Sequence, residues 1–137
     1  MFSRLFVNYH VCLHYNNLYS QIYLLDYIVY IPTGVWHFSF ADMSYATRLV
    51  AKTIFGSPPT STYEQALHYF LRAEQISVGF YSTNTYYIGE VYDRLGKKDD
   101  AIEHYRKSFM MPVISADDEV IHQKVKRRFK NTSTVCD

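Results

Sequence analysis

Cysteine is scarce in this chain, and its placement excludes two classes of small protein. The 137 residues contain two cysteines, Cys12 and Cys136, which lie near opposite ends. A disulfide scaffold or a cysteine-ligated zinc site requires closely spaced cysteines, and none are present. The cysteine content is typical of a protein from a reducing compartment, so we expect a cytoplasmic location.

Net charge is also nearly absent. Lys and Arg total 14, Asp and Glu total 13, and the formal charge is +1 at pH 7. A chain with this balance has no overall attraction to nucleic acid or to an anionic membrane. We therefore predict no nucleic-acid partner, and any electrostatic recognition has to come from a local cluster of charges.

The chain lacks a long uninterrupted apolar run. The most apolar stretch, 22–31, is short and contains Asp26, whereas a membrane-spanning helix needs about 20 consecutive apolar residues. A charge at the centre of such a helix costs about 2.5–3.5 kcal/mol on insertion scales. We predict no transmembrane span.

Motifs for catalysis and for cofactor binding are missing. The sequence has no Ser-His-Asp arrangement, nucleophile elbow, phosphate loop or dinucleotide fingerprint. His10, Cys12 and His14 alternate and would suit zinc, but no fourth ligand or catalytic carboxylate accompanies them. We interpret the three as polar packing residues and predict a protein that is not an enzyme and holds no metal or cofactor.

A repeat organises the second half of the chain. Residues 63–76 and 98–111 share a pattern of small and aromatic residues 35 positions apart, close to the ~34-residue period of tetratricopeptide helix pairs. Small residues allow two helices to approach closely, and the aromatic residues fill the space beside them. The matching pairs are Ala66 and Ala101, Leu67 and Ile102, Phe70 and Tyr105, and Ala73 and Ser108.

The residues between these two segments predict the partner helix. Ile88, Gly89 and Tyr92 combine an aliphatic residue, a glycine at a helix contact and an aromatic residue one turn later. Gly96 is a natural helix end, and Pro112 stops the following helix. We predict a helical hairpin with helices at 83–95 and 98–110.

Three more helices are predicted around this hairpin. Helix 63–76 has a capping box of Ser61 and Glu64, and Gly34 and Trp36 mark a first helix upstream. An additional helix at about 42–55 and a closing helix after Ser115 complete the set. The apolar faces of these last two helices are predicted to be Met43, Thr47, Val50 and Ile54, and Val120, Ile121, Val125 and Phe129.

The arrangement of these motifs resembles the C-terminal part of the regulator of microtubule dynamics family over residues 34 to about 130. The resemblance is carried by GVWHFSF, by FGSPP followed by TYEQAL, and by LGKK before the last repeat helix. It implies an all-α, tetratricopeptide-like superhelix with a C-terminal capping helix. Family members carry more helical repeat upstream, so we expect this chain to be part of a longer domain.

The resemblance also implies a function. Members of the family associate with microtubules and spindle poles, which implies a non-catalytic, microtubule-associated repeat protein that binds tubulin at the cytoskeleton. Some members lie on mitochondria or the endoplasmic reticulum, and one binds lipid. The alternative is therefore a lipid-binding or membrane-contact adaptor at those organelles.

The segment 1–33 is atypical of this pattern. From Tyr15 to Ile31 the chain is rich in Tyr, Ile and Asn, whose codons begin with two A or T bases. Pro32 is expected to break any helix leading into Gly34. We predict that 15–33 is an insertion or gene-model artefact, with a lineage-specific insertion as the alternative. The predicted domain is then 34–130, followed by a tail at 131–137.

Two groups of residues are candidate contact sites. One is a local basic cluster, which suits the acidic tails of tubulin or an anionic lipid surface, and which would otherwise be a solvated helix end. The other is a face of helix 83–95 that would line the concave side of a repeat stack and hold an extended peptide, or would otherwise be an ordinary helix surface. The basic cluster is Lys124, Lys126, Arg127, Arg128 and Lys130, and the groove residues are Asn84, Tyr87, Glu90, Val91 and Arg94.

Overall fold

A computed structural model describes residues 29–133, and this part of the chain is all helical. The prediction of an all-α helical-repeat fold is confirmed. The predictions about His10, Cys12 and His14, and those about residues 15–28 and 134–137, lie outside the described residues. The helices are α1 (29–41), α2 (Tyr45–Phe55), α3 (Tyr63–Ile76), α4 (Ser82–Arg94), α5 (Lys98–Met110) and α6 (Ala116–Ser133).

Helix α1 runs through Pro32, so the expected break before Gly34 is wrong. Pro32 is the fourth residue of the described part of α1. Proline has a fixed φ that matches the helical backbone, so the ring is accommodated at this position. Residues 29–33 are therefore helical and continuous with 34–41, and Ile31 among them is buried. The proposed origin of 15–33 as an artefact stays a prediction.

Helix α3 begins at Tyr63, as predicted, but its N-cap is one residue later than predicted. Thr62, not Ser61, is the N-cap, and its Oγ1 accepts a hydrogen bond from the Gln65 N–H at 3.2 Å. Gln65 Oε1 in turn accepts from the Thr62 N–H at 3.0 Å. Two overlapping windows fit the capping-box pattern, and the Ser61 hydroxyl is instead 2.6 Å from Nδ1 of His37.

Glycines lie at two close helix contacts, as predicted. A Cβ placed on Gly89 would lie 2.8 Å from the Tyr105 ring, and one on Gly34 would lie 2.6 Å from the Phe70 ring. Both distances are shorter than any real Cβ contact, so each glycine permits the approach of an aromatic side chain. Gly96 has a φ of +77° and follows the end of α4, a conformation that favours glycine.

The core consists of two clusters that share partly buried aromatic residues. The first joins α1, α3 and α4, and the second joins α4, α5 and α6, so α4 lies at the centre of the described structure. Tyr87 and Tyr92 pack against both clusters. The first cluster is Phe38, Ala66, Phe70, Ile88 and Val91, and the second is Tyr86, Ala101, Tyr105, Ile121 and Val125.

Helix α2 does not bury the apolar face predicted for it. None of its residues is buried, and Val50 and Ile54 are 58% and 68% exposed. The helix begins at Tyr45, so Met43 belongs to the connection that precedes it. None of the helices α3 to α6 packs against α2. Helical spacing of apolar residues indicates an amphipathic helix, but it does not fix which surface covers it.

Helix α6 closes the stack, as predicted. The Ser115 hydroxyl accepts a hydrogen bond from the Asp118 N–H at 3.2 Å, and Asp118 Oδ2 accepts from the Ser115 N–H at 2.9 Å. Ile121 and Val125 are buried against α4 and α5, with Phe129 partly buried beside them. Val120, which was placed on the same apolar face, is instead 52% exposed.

Candidate binding groove

The basic cluster of α6 is divided between two faces of the helix. Arg127 and Arg128 follow Lys124 by three and four positions, and all three line one cavity of about 280 Å³ together with Tyr86. Lys126 and Lys130 are four positions apart on another face, and both are exposed. The sequence predicted one patch of five bases. The helix separates them into an inward set, which lines the cavity, and an outward set on the other face.

Arg128 is a structural residue within the inward set. Its Nε donates to Glu90 Oε1 at 2.7 Å, and its Nη2 donates to Oε2 at 2.5 Å. Burial opposes the charged form of Arg128, but the hydrogen bonds and charge of Glu90 outweigh burial and raise its pKa. This bidentate pair fixes α6 to α4.

Glu90 accepts a further hydrogen bond and is buried. The Tyr105 hydroxyl donates to Oε1 at 2.7 Å, and Glu90 is only 4% exposed. Burial, reinforced by the hydrogen bond and the charge of Glu90, raises the pKa of Tyr105. A single carboxylate thus joins α4, α5 and α6, which explains why a charged residue is tolerated in the second core cluster.

Arg94 extends this network toward α1 and α3. Its Nη2 lies 3.9 Å from Glu90 Oε2, and its Nε donates to Asp42 Oδ1 at 2.7 Å. The Tyr63 hydroxyl donates to the same oxygen at 2.8 Å. The hydrogen bond from Arg94 is the main cause of a lowered pKa for Asp42, with Tyr63 adding to the effect against burial.

The groove predicted on α4 is corrected for three of its five residues. Asn84, Glu90 and Val91 are buried, since α3, α5 and α6 all pack against α4. Asn84 Nδ2 donates to the Phe70 carbonyl at 3.1 Å and to Glu74 Oε2 at 3.0 Å.

Of the other two predicted groove residues, Arg94 is exposed but belongs to the charged network. Tyr87 alone lines an open cavity. The face of α4 that the sequence assigned to a ligand is thus mostly the face that holds the helices together.

The open cavity is a groove of about 540 Å³ between α1, the start of α4 and α6. Its walls are mainly apolar and aromatic, and Trp36 contributes a side chain that is 45% exposed. Because the groove involves three helices that are distant in sequence, no single-helix pattern identifies it. The apolar lining residues are Ile31, Val35, Trp36, Tyr87, Val120 and Ile121, with Pro32 beside them.

Polar groups lie at a few points of this groove. Asp117 and Tyr81 are at one end, where the Tyr81 hydroxyl donates to Asp117 Oδ2 at 3.3 Å. Lys124 is at the other end, with its ammonium 5.8 Å from the centre of the Tyr86 ring. Thr83 also lines the groove, and its hydroxyl is buried without a hydrogen-bond partner within residues 29–130. Such a groove can hold a ligand that is mainly apolar and offers some hydrogen-bonding groups.

Metal-ligand clusters and membrane-length apolar helices are both absent from the described part of the chain. Between residues 29 and 130, no three His, Cys, Asp or Glu side chains are grouped as metal ligands would be. No helix described here combines the length and the hydropathy that a membrane crossing requires.

Comparison with known proteins gives one consistent result. The family model described as regulator of microtubule dynamics protein 1-3 matches residues 21–133. Regulator of microtubule dynamics protein 1 of Pongo abelii and that of Homo sapiens are each 41% identical to this chain over 88 residues, 64% of the chain. Regulator of microtubule dynamics protein 2 of Rattus norvegicus is 28% identical over 100 residues, 73% of the chain.

The aligned regions are a small part of these relatives. They span 28% of the two type 1 proteins and 24% of the type 2 protein. The family match nevertheless covers most of the chain and nearly all of the described helices. The chain therefore belongs to the regulator of microtubule dynamics family.

Proposed function

We propose that this chain is a non-catalytic binding module that acts in microtubule regulation by contacting the acidic surface of tubulin. The names of its relatives support the link to microtubule dynamics. The observation that carries the contact is the set of bases on α6. Lys126 and Arg127 are exposed, and neither they nor Lys124 form an ion pair with an acid within residues 29–130. Cations that are not neutralised by an acid remain available to an acidic protein.

Binding of this kind places the protein at the cytoskeleton, with the spindle pole as its expected site. The contact is electrostatic and close to solvent, so added salt is expected to weaken it. The screening length is about 10 Å at 0.1 M ionic strength and becomes shorter as salt is added. This salt dependence distinguishes the proposal from apolar recognition.

Microtubule co-sedimentation across a salt series tests the proposal. The variant removes charge from α6 by changing Lys124, Lys126, Arg127 and Lys130 to Gln. Arg128 is retained because it pairs with Glu90. We expect the unchanged chain to pellet with microtubules at low salt and the variant to remain in the supernatant.

A second variant with an equal loss of charge provides the control. Lys52, Arg72, Arg106 and Lys107 are exposed and belong to α2, α3 and α5, and all four are changed to Gln. This control is expected to pellet as the unchanged chain does. Equal pelleting by both variants would show that α6 does not carry the contact, and loss by both would indicate general charge attraction.

The apolar groove supports a second candidate function, that of a lipid-binding or membrane-contact adaptor at mitochondria or the endoplasmic reticulum. A volume of about 540 Å³ with mainly apolar walls is within the range of small-ligand sites. The chain would be incubated with phospholipid vesicles and the lipid retained measured by native mass spectrometry. Lipid held in the groove is expected to survive high salt, whereas the tubulin contact is not.

A further inference from the structure

The groove and the cationic cavity are adjacent along α6. Lys124 lines both of them. The α6 residues that face them, from Asp117 through Lys124 to Arg128, recur every three or four positions and therefore lie on one side of the helix. From Asp117 to Arg128 the helix rises by eleven steps of about 1.5 Å, about 16 Å in all, which matches roughly five residues of an extended chain at about 3.3 Å each.

The chemistry of this strip changes from one end to the other. The half between α1 and α4 is apolar, with Trp36 and Val120 exposed along it. The half around Tyr86 is cationic, and within residues 29–130 its Lys124 and Arg127 form no ion pair with an acid. Arg128 contributes less because Glu90 already neutralises it. Apolar contacts at one end and carboxylates at the other are the complement of this surface.

We infer that the groove and the cationic cavity together bind one extended peptide. The peptide carries a bulky apolar side chain in the groove and a run of carboxylates two or three residues away, beside Lys124 and Arg127. This inference rests on the proposed function and deepens it, since it gives the sequence chemistry of the acidic partner.

A polar group in the groove favours a peptide over a phospholipid. The Asp117 carboxylate lines the groove and can accept a hydrogen bond from a peptide N–H. An acyl chain has no such donor. The negative charge of Asp117 at the apolar end also opposes an anionic headgroup there.

Trp36 provides the measurement, because it is the one tryptophan of the chain and it lines the groove. The full chain would be titrated with the acetylated and amidated peptide Phe-Gly-Glu-Glu-Glu and with its reversed sequence, while the Trp36 emission is recorded. We expect a saturable change with at least one of the two. Replacing Phe by Ser, or the three Glu by Gln, is expected to weaken binding by about tenfold, about 1.4 kcal/mol.

Two charge-matched variants locate the site on α6. Changing Lys124 and Arg127 to Gln is expected to lower the affinity for the peptide by about tenfold or more. Changing Lys126 and Lys130 to Gln should alter this affinity by less than about threefold. Thermal unfolding of both variants shows that each one is folded. Equal losses in the two pairs, or no saturable change in Trp36 emission in the unchanged chain, would overturn the inference.

Comparing peptide binding with microtubule pelleting distinguishes this inference from the proposed function. Binding of the acidic peptide without microtubule pelleting would refute the microtubule role and leave the groove specificity standing. Pelleting without peptide binding would refute the groove specificity alone. If phosphatidylglycerol vesicles, and not the peptide, change Trp36 emission in a manner that requires Lys124 and Arg127, the partner is a lipid surface and the inference is wrong.

Discussion

Arg127 and Arg128 are neighbours in sequence with opposite roles in the structure, and this contrast gives the sharpest stability prediction. Arg128 forms two hydrogen bonds to the buried carboxylate of Glu90. The Arg127 side chain is exposed, and its Nε donates a long hydrogen bond of 3.4 Å to the carbonyl of Gln123. Changing each arginine separately to Gln removes the same charge from adjacent positions of one helix.

The cost of Arg128→Gln follows from what remains around Glu90. Removing one partner of a fully buried ion pair costs about 3–5 kcal/mol. The Arg128 side chain is 35% exposed, and both Tyr105 and the more distant Arg94 stay close to the carboxylate. We therefore expect about 2 kcal/mol, which corresponds to a fall of about 6–10 °C in the melting temperature for a chain of this size.

Thermal and urea unfolding, each followed by circular dichroism at pH 7, measure this difference. Arg127→Gln is expected to change the free energy of unfolding by less than about 0.5 kcal/mol, as most exposed substitutions do. The double variant Glu90→Gln/Arg128→Gln should cost less than the sum of the two single changes, with a coupling of about 1–2 kcal/mol. The reasoning is refuted if the two arginine variants lose equal stability.

Three other changes test particular contacts. Gly89→Ala gains about 1 kcal/mol of helix propensity but forces a Cβ against Tyr105 at a cost of about 1–3 kcal/mol, so a net loss in urea unfolding is expected, and a gain would contradict the close packing. Hydrogen bonds from Ser82 and Ser115 hold the pKa of Asp118 at about 2, so its stabilisation is present above about pH 4 and disappears as the pH falls toward 2. Asp118→Asn should therefore lower stability at pH 7 by about 1 kcal/mol and flatten the acid unfolding curve, whereas parallel curves would argue against this role. Thr62→Ala should lower stability by about 1 kcal/mol, and Glu64→Gln should leave the melting temperature almost unchanged. A larger loss for Glu64→Gln would instead support the predicted capping box of Ser61 and Glu64.

Local patterns were sufficient to predict much of the fold. The bounds of the helices at 63–76 and 98–110 agree with the structure because small and aromatic residues recur there at a repeat period. Gly89 was correctly assigned to a helix contact, since only a residue without a Cβ can lie so close to an aromatic ring. Each of these inferences uses residues within one helical hairpin.

The inferences that failed required knowledge of what surrounds each helix. Asn84 and Glu90 are polar, so the sequence placed them on an open surface, but α4 has neighbours on three sides and both find partners inside. The apolar residues of α2 were expected to be buried, yet Ile54 is exposed. The groove was missed for the same reason, since Trp36 and Lys124 belong to helices far apart in sequence.

The position of α6 links stability to recognition. This helix supplies one wall of the groove and all the bases of the cationic cavity, so both sites exist only while α6 is docked on α4. The Glu90–Arg128 pair is one of the contacts that maintain this docking. Arg128→Gln should therefore lower the affinity for the acidic peptide, because α6 is separated from α4 in a fraction of the molecules. Cooling restores the docking of α6 and should recover most of the affinity. Arg127→Gln removes a direct contact with the peptide, so the loss of affinity should persist at every temperature at which the chain is folded.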